Sequence, residues 1–135
     1  MSADRDIAKL IDEIVRKART ASRAMSIMDT DRKNRALLAM AGSFRGNRDK
    51  IRKENLKDLK AGDSAGLSQA MLDRLTLTGD RIEGMAQSLE KVALLDDPVG
   101  EITGAKSLPN GIKLGQMRSP IGVIGIIYES RPNVT

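Results

Sequence analysis

Apolar residues recur every three or four positions through the first two-thirds of the chain, and this spacing predicts a series of amphipathic helices. The first helix is predicted over about residues 4–25, with one apolar face made by Ile7, Ile11, Ile14, Ala18, Ala21 and Met25. A cap at Asp29 or Thr30 predicts a second helix, whose buried stripe is Leu37, Met40, Ala41 and Phe44. A third is predicted from near Asn47 to Ala61 and ended by Gly62, with the segment GDSAG as a loop.

Two further helices are predicted from their capping residues. Ser68 precedes the short segment QAMLDRL, and Thr78 precedes a longer apolar stripe of Ile82, Met85, Ala86, Leu89, Val92 and Ala93. We expect Met85 and Leu89 to be buried and Glu90 to face solvent. Pro98 ends this region because it disfavours helix in the residue before it.

The pattern changes after Pro98. Two short strands are predicted around the Asn110-Gly111 turn, a dipeptide that readily forms hairpin turns. The run IGVIGIIY, residues 121–128, is apolar at every position except its glycines, which predicts a strand covered on both faces, as in a parallel sheet. We expect its neighbouring strands to come after residue 135, so the chain is interpreted as the amino-terminal part of a larger α/β enzyme.

The residue composition narrows the chemistry. The 135 residues are enough for one domain of ordinary size. The chain has no Cys and no His, which excludes a thiolate nucleophile, imidazole catalysis and His- or Cys-ligated metal sites within these residues. We predict no metal site.

Positive charge is concentrated in the first half of the chain. Residues 1–60 hold 16 Lys and Arg against 9 Asp and Glu, whereas residues 61–97 hold 3 against 7. A basic half can bind nucleic acid, but here the basic residues alternate with acidic ones, which favours solvated helix faces and no nucleic-acid partner. The start MSADRDIAKL lacks a signal-peptide core, and no apolar stretch approaches the about 18 residues of a membrane span, so a cytoplasmic location is expected.

The turn after the apolar run is the candidate binding site. Ligands bind beyond the carboxyl ends of parallel strands, and Arg131 there offers a planar guanidinium for phosphate or carboxylate. Gly122 and Gly125 lie inside the run and do not form the GxGxxG dinucleotide fingerprint, so packing is their expected role. On these generic grounds a packing role for the segment is as well supported as a binding role.

Several specific sequence segments show a resemblance to a known family. Five segments carry the resemblance, in this order: DRKNRALLAMA, GLSQAMLDRLTLT, LLDDPVGEI, LPNGIKLGQMRSPIG and IGVIGIIYESRPNVT. They closely resemble the gamma-glutamyl phosphate reductase family (glutamate-5-semialdehyde dehydrogenases), which belongs to the aldehyde dehydrogenase superfamily. The resemblance covers about residues 7–135. It implies NADPH-dependent reduction of gamma-glutamyl phosphate, a small-molecule substrate, to glutamate-5-semialdehyde with release of phosphate, in proline biosynthesis.

The resemblance also implies a domain organisation. Residues 1–97 correspond to the helical amino-terminal part of the cofactor domain, 98–119 to the oligomerisation hairpin, and 120–135 to the first strand and turn of a Rossmann-like sheet. The family's catalytic Cys lies far beyond residue 135, and family members are expected to form homo-oligomers. We therefore expect no activity from this chain alone.

The resemblance assigns site residues at the end of the run. Ile126, Ile127, Tyr128, Arg131 and Pro132 line the NADPH or NADP crevice, and Asn133 is the candidate oxyanion donor. The local order Arg-Pro-Asn differs from the superfamily's more usual Asn-Phe-Pro. Asn133 or Thr135 as a helix cap, and Arg131 paired with Glu129, are the alternatives.

Two other functions remain open from sequence. One is a truncated product without activity. The other is a basic helical interaction module whose 45–60 helix binds an acidic partner or RNA; this interpretation leaves the IGVIGIIY run unexplained.

Overall fold

A computed structural model describes residues 2–128 and 131–134, with side chains from residue 6 onward. Its elements in chain order are α1 (Ser2–Ser26), α2 (Thr30–Gly46), α3 (Arg48–Ser64), α4 (Gln69–Leu75), α5 (Gly79–Ala93), β1 (Ile102–Ser107) and β2 (Lys113–Met117). The helical region and the hairpin are therefore where the sequence predicts them. No helix in the described part of the chain is both long and apolar enough to cross a membrane.

The predicted caps of the two later helices are confirmed. The Ser68 hydroxyl accepts a hydrogen bond from the Met71 N–H at 3.4 Å, and the Thr78 hydroxyl accepts one from the Arg81 N–H at 3.1 Å. Each cap satisfies a backbone donor that the first helical turn leaves without an internal partner.

The third helix is longer than predicted, because Gly62 lies inside it and does not end it. Gly62 is buried, and a Cβ at this position would lie 2.8 Å from the Leu67 Cδ1 atom. The glycine therefore allows the segment after the helix to pack closely. The chain reverses at Gly66, whose φ of 79° lies in the left-handed region, so the helix ends later than the sequence predicts.

Helices α2 and α5 pack against each other and hold the most buried residues. Ala41 of α2 and Ile82 and Ala86 of α5 have no exposed surface. Met85 and Leu89 are only half-buried, so our expectation that both are buried is wrong. The core face of α5 runs through Ile82, Ala86 and Ala93, because the small alanines let the two helices approach closely.

The hairpin pairs β1 and β2 antiparallel, from Ile102 opposite Met117 to Ser107 opposite Lys113. Its register shifts between Thr103 and Lys106, where Gly104 has a φ of 62°. The connection runs over residues 108–112 and is closed by the Leu108 N–H donating to the Ile112 carbonyl at 2.8 Å. The Asn110-Gly111 turn is confirmed within this longer loop, and both strands are solvent-exposed.

The chain divides into two compact units. One consists of Met1–Asp29 and Asp96–Gly125, and it contains α1 and the hairpin. The apolar face of α1 is exposed in this unit: Ile7, Ile11 and Ile14 each keep more than half of their surface. The other unit consists of Thr30–Leu95 and Ile126–Thr135, and it contains α2 to α5.

The predicted strand over residues 121–128 is not formed in this structure. These residues are neither helix nor strand and are exposed, with Ile121 at 87% and Ile124 at 64%. A strand exists only through hydrogen bonds to a neighbouring strand, and within the described residues the one ladder joins β1 and β2. Apolar sequence alone cannot provide that partner.

Candidate functional site

A groove opens along α3 in the second unit. It has a volume of about 410 Å³ and is lined by Asn47, Lys50, Ile51, Glu54, Asn55, Asp58, Leu75, Leu77 and Pro132. Its lining combines aliphatic side chains from α3, the end of α4 and the α4–α5 connection with charged residues of α3. Pro132, from the far end of the chain, is the only lining residue that the sequence analysis assigned to a site.

Asn55 stabilises one wall of this groove. It is the most buried polar side chain in the described part of the chain, with 4% of its surface exposed. Its Nδ2 donates to the Leu75 carbonyl at 2.9 Å, and its Oδ1 accepts from the Leu77 N–H at 2.7 Å. The side chain therefore replaces water for two backbone groups and fixes the residues on which the groove depends.

The 131–134 turn carries the predicted polar site residues. The Val134 N–H donates to the Arg131 carbonyl at 3.1 Å, which closes the turn. Exposure alternates along it: Pro132 and Val134 are half-buried, whereas Arg131 and Asn133 are exposed. Both polar side chains are thus accessible to a ligand, and their roles stay predictions.

The predicted apolar wall of the cofactor site is open in this structure. Ile126 keeps 63% of its surface exposed, Ile127 is fully exposed, and Tyr128 keeps 45%. A site that binds a cofactor normally buries most of the ligand in a concave pocket. The described residues 126–128 and 131–134 do not form such a crevice, so we derive no chemical step through a nicotinamide from this geometry. The alternatives that involve Glu129 and Thr135 lie outside the described residues.

The strongest electrostatic arrangement links α2 to α5. The Arg45 guanidinium lies 2.7 Å from Glu83 Oε1 and also forms an ion pair with Glu90. These hydrogen bonds raise the pKa of Arg45 and lower the pKa values of the Glu83 and Glu90 carboxyls. The Glu90 side chain keeps 37% of its surface exposed, and the helix phase also brings it to Arg45.

In the part of the chain that the structure describes, no three His, Cys, Asp or Glu residues lie close enough together to hold a metal ion. The Lys and Arg residues of the 45–60 region are partly neutralised within the fold, since Arg45 binds two glutamates and Lys57 lies 2.6 Å from Glu54.

Sequence reasoning missed the groove residues of α3 and the α4–α5 connection. The available signal was the position of Asn55, four residues after Ile51 and therefore on the same face of α3. A polar residue among apolar ones on a helix face indicates a specific buried hydrogen bond, but its partners depend on which loop packs there.

Comparisons with known proteins agree on one relationship. The chain is 52% identical over 130 residues to the gamma-glutamyl phosphate reductase of Magnetococcus marinus, covering 96% of this chain and 31% of that protein. It is 51% identical over 123 residues to the gamma-glutamyl phosphate reductase of Dictyoglomus thermophilum, covering 91% of this chain and 30% of that protein. No protein-family model matches the chain.

Solved structures give the same result. The crystal structure of gamma-glutamyl phosphate reductase from Thermotoga maritima superposes with a TM-score of 0.86 at 37% identity, covering 90% of this chain and 30% of that one. The Saccharomyces cerevisiae structure of the same name superposes with a TM-score of 0.84 at 33% identity, covering 90% of this chain and 31% of that one.

The helices and the hairpin thus match the amino-terminal part of the fold of these reductases. The chain is homologous to the gamma-glutamyl phosphate reductases over that portion, and it spans about 30% of the length of the relatives it matches.

Proposed function

We propose that this chain is the amino-terminal portion of an oxidoreductase that reduces gamma-glutamyl phosphate to glutamate-5-semialdehyde and releases phosphate in proline biosynthesis. The observation that carries the proposal is 52% identity to a gamma-glutamyl phosphate reductase across nearly the whole chain. The cofactor that the family resemblance implies is a nicotinamide, with NADPH as the specific form, and it would supply the hydride. The thiolate nucleophile of the family comes from another part of the enzyme, since these 135 residues contain no Cys.

The proposal gives each predicted site residue a role. Arg131 binds a phosphate of the substrate or cofactor, and Asn133 donates a hydrogen bond to the developing oxyanion. Residues 126–128 would line the cofactor side of the site, whereas Pro132 lines the α3 groove. The exposure of Arg131 and Asn133 supports these roles, because a ligand can reach both side chains.

The larger assembly follows from the same proposal. Residues 1–97 and 120–135 belong to the cofactor domain, and the 98–119 hairpin joins subunits into a homo-oligomer in the cytoplasm. The exposed apolar residues of the hairpin support this assignment, with Ile102 at 65% and Met117 at 67%. A nucleic-acid role for the 45–60 region is less well supported, because Arg45 and Lys57 are engaged by glutamates.

Fragment complementation tests the proposal. The chain is assayed alone and then mixed with the remaining carboxyl-terminal part of the Thermotoga maritima reductase, following the formation of NADPH by absorbance with glutamate-5-semialdehyde, phosphate and NADP. We expect no activity from the chain alone and activity from the mixture. Activity of the chain alone would overturn the account, because it would require a nucleophile that these residues do not contain.

Variants of the turn then test the site. Arg131→Ala and Asn133→Ala are each expected to lower the activity of the mixture by about 100-fold. Leu56→Ala is the control, since this side chain is 58% exposed on α3 and has no role in the proposed site. Equal activities of all three variants would contradict the roles of Arg131 and Asn133.

A further inference from the structure

One residue of the 131–134 turn lines the groove on α3, and the exposure of its neighbours differs from its own. Pro132 lines the groove together with Ile51, Leu75 and Leu77. Its neighbours Arg131 and Asn133 are exposed, and Val134 is again half-buried. Pro132 therefore faces the groove, whereas the side chains of Arg131 and Asn133 are exposed.

Several features of the groove suit a rigid support. Ile51 lies on a continuous helix, and Asn55 ties that helix to the backbone at both Leu75 and Leu77. Pro132 adds stiffness on the side of the turn, because its ring restricts φ to about −65°. The turn itself is closed by the Val134 N–H to the Arg131 carbonyl.

We propose that this groove is an intramolecular docking site that positions the 131–134 turn, with Ile51 and Asn55 as positioning residues. Docking of Pro132 against α3 holds Arg131 and Asn133 on the solvent side, where they meet substrate or cofactor. The catalytic part of this inference rests on the proposed function, whereas the docking itself does not. Neither Ile51 nor Asn55 touches the reacting atoms.

Nuclear magnetic resonance of the 135-residue chain tests the docking directly. We expect nuclear Overhauser contacts between the Pro132 ring protons and the Ile51 methyl groups, and protection of the Val134 amide from hydrogen exchange. Ile51→Ser is expected to remove the contacts and to reduce the protection. Leu56→Ser is the matched control on the same helix, and it should leave both unchanged because Leu56 points to solvent.

The complementation assay tests the consequence for catalysis. A small misplacement of a catalytic group costs on the order of 100-fold in rate, so Ile51→Ser is expected to lower kcat by at least about 10-fold at saturating fragment concentration. Ile51→Val should restore most of the rate because it keeps the apolar contact. Leu56→Ser again serves as control, and all variants are compared below their unfolding temperatures.

The outcomes separate the two proposals. Absence of the Pro132 contacts in the unmodified chain overturns the docking, whatever the assay shows. If the Pro132 contacts are present but Ile51→Ser and Leu56→Ser have equal kcat values, the positioning role is overturned. If the mixture is inactive with the unmodified chain and with every variant, the proposed function is overturned. The docking is then decided by the nuclear Overhauser contacts and the Val134 amide protection alone.

Discussion

At the residue scale, Asn55 shows how a single side chain organises the helical unit. We predict that Asn55→Ala lowers the free energy of unfolding by about 1–3 kcal/mol, because the Leu75 carbonyl and the Leu77 N–H lose their partner in a place with little water. Urea unfolding followed by circular dichroism measures this loss.

Asn47→Ala is the control for that measurement. The Asn47 side chain donates to the Ser43 carbonyl on an exposed surface, so its removal should cost less than about 0.5 kcal/mol. Equal losses at the two positions would mean that the buried hydrogen bonds of Asn55 contribute nothing beyond those at the surface.

Arg45 makes stability depend on pH. Ion pairing lowers the pKa values of Glu83 and Glu90 in the folded state, so the folded state binds fewer protons than the unfolded state near their ordinary pKa of about 4.3. The stabilisation is therefore present above that pH and is lost as pH falls through the lower folded-state values. We predict that Arg45→Met is less stable than the unmodified chain at neutral pH, and that the difference shrinks on acidification below about pH 4.

Arg16→Met provides the comparison for this pH profile. Arg16 pairs with Asp12 on α1, where both side chains are more than two-thirds exposed, so its removal should change stability little at any pH. A difference between Arg45→Met and the unmodified chain that stays constant with pH would contradict the role of the two glutamates. Added salt should reduce the effect of Arg45 at neutral pH.

At the element scale, the packing of α2 on α5 determines which face of each helix is core. We predict that Ile82→Ala costs about 2–5 kcal/mol, because the side chain is fully buried and its removal leaves a cavity. Leu89→Ala should cost about 1–2 kcal/mol, since Leu89 is only half-buried. Thermal and urea unfolding measure how much stability each variant loses. A larger loss of stability for Leu89→Ala than for Ile82→Ala would show that the phase of α5 differs from this structure.

Helix boundaries illustrate what local sequence determines. Ser68 and Thr78 were predictable caps because a hydroxyl side chain needs only the first turn of its own helix as a partner. Gly62 was predicted to end α3 but lies inside it, since its role is to make room for Leu67. That role depends on packing between segments, which a window of sequence does not contain.

At the scale of the whole molecule, the exposed run 121–128 determines how the chain behaves in solution. Its residues combine high strand propensity with no charge, and such a segment promotes association when it lacks a partner. We predict that Ile124→Asp raises the concentration at which the chain stays monomeric in light scattering, with helical circular dichroism unchanged. Loss of the helical signal would mean that the run is buried in solution.

Ile82→Asp is the counterpart on a buried position and should unfold the chain. The comparison separates a general effect of added charge from the effect of burial, because the same substitution is made at a fully buried isoleucine and at an exposed one.

The sequence by itself determined the helical segments, two of their caps, the hairpin around Asn110-Gly111 and the relationship to the reductases. These features depend on periodicity, on neighbouring backbone groups or on the order of specific residues, all of which are local to the chain. It also located the Arg131 to Asn133 turn as a candidate site, although it could not say which of these residues face solvent.

Only the tertiary structure decided which residues meet across long separations. Three features join segments that are distant in sequence: Arg45 pairs with Glu83 and Glu90, Asn55 supports Leu75 and Leu77, and Pro132 lines the α3 groove. The run 121–128 also shows what local sequence cannot decide. Its sequence favours a strand, but a strand forms only when a neighbouring strand is there to share hydrogen bonds with it. Burial and pairing are properties of what surrounds a residue, and those surroundings are set by the packing of the whole fold.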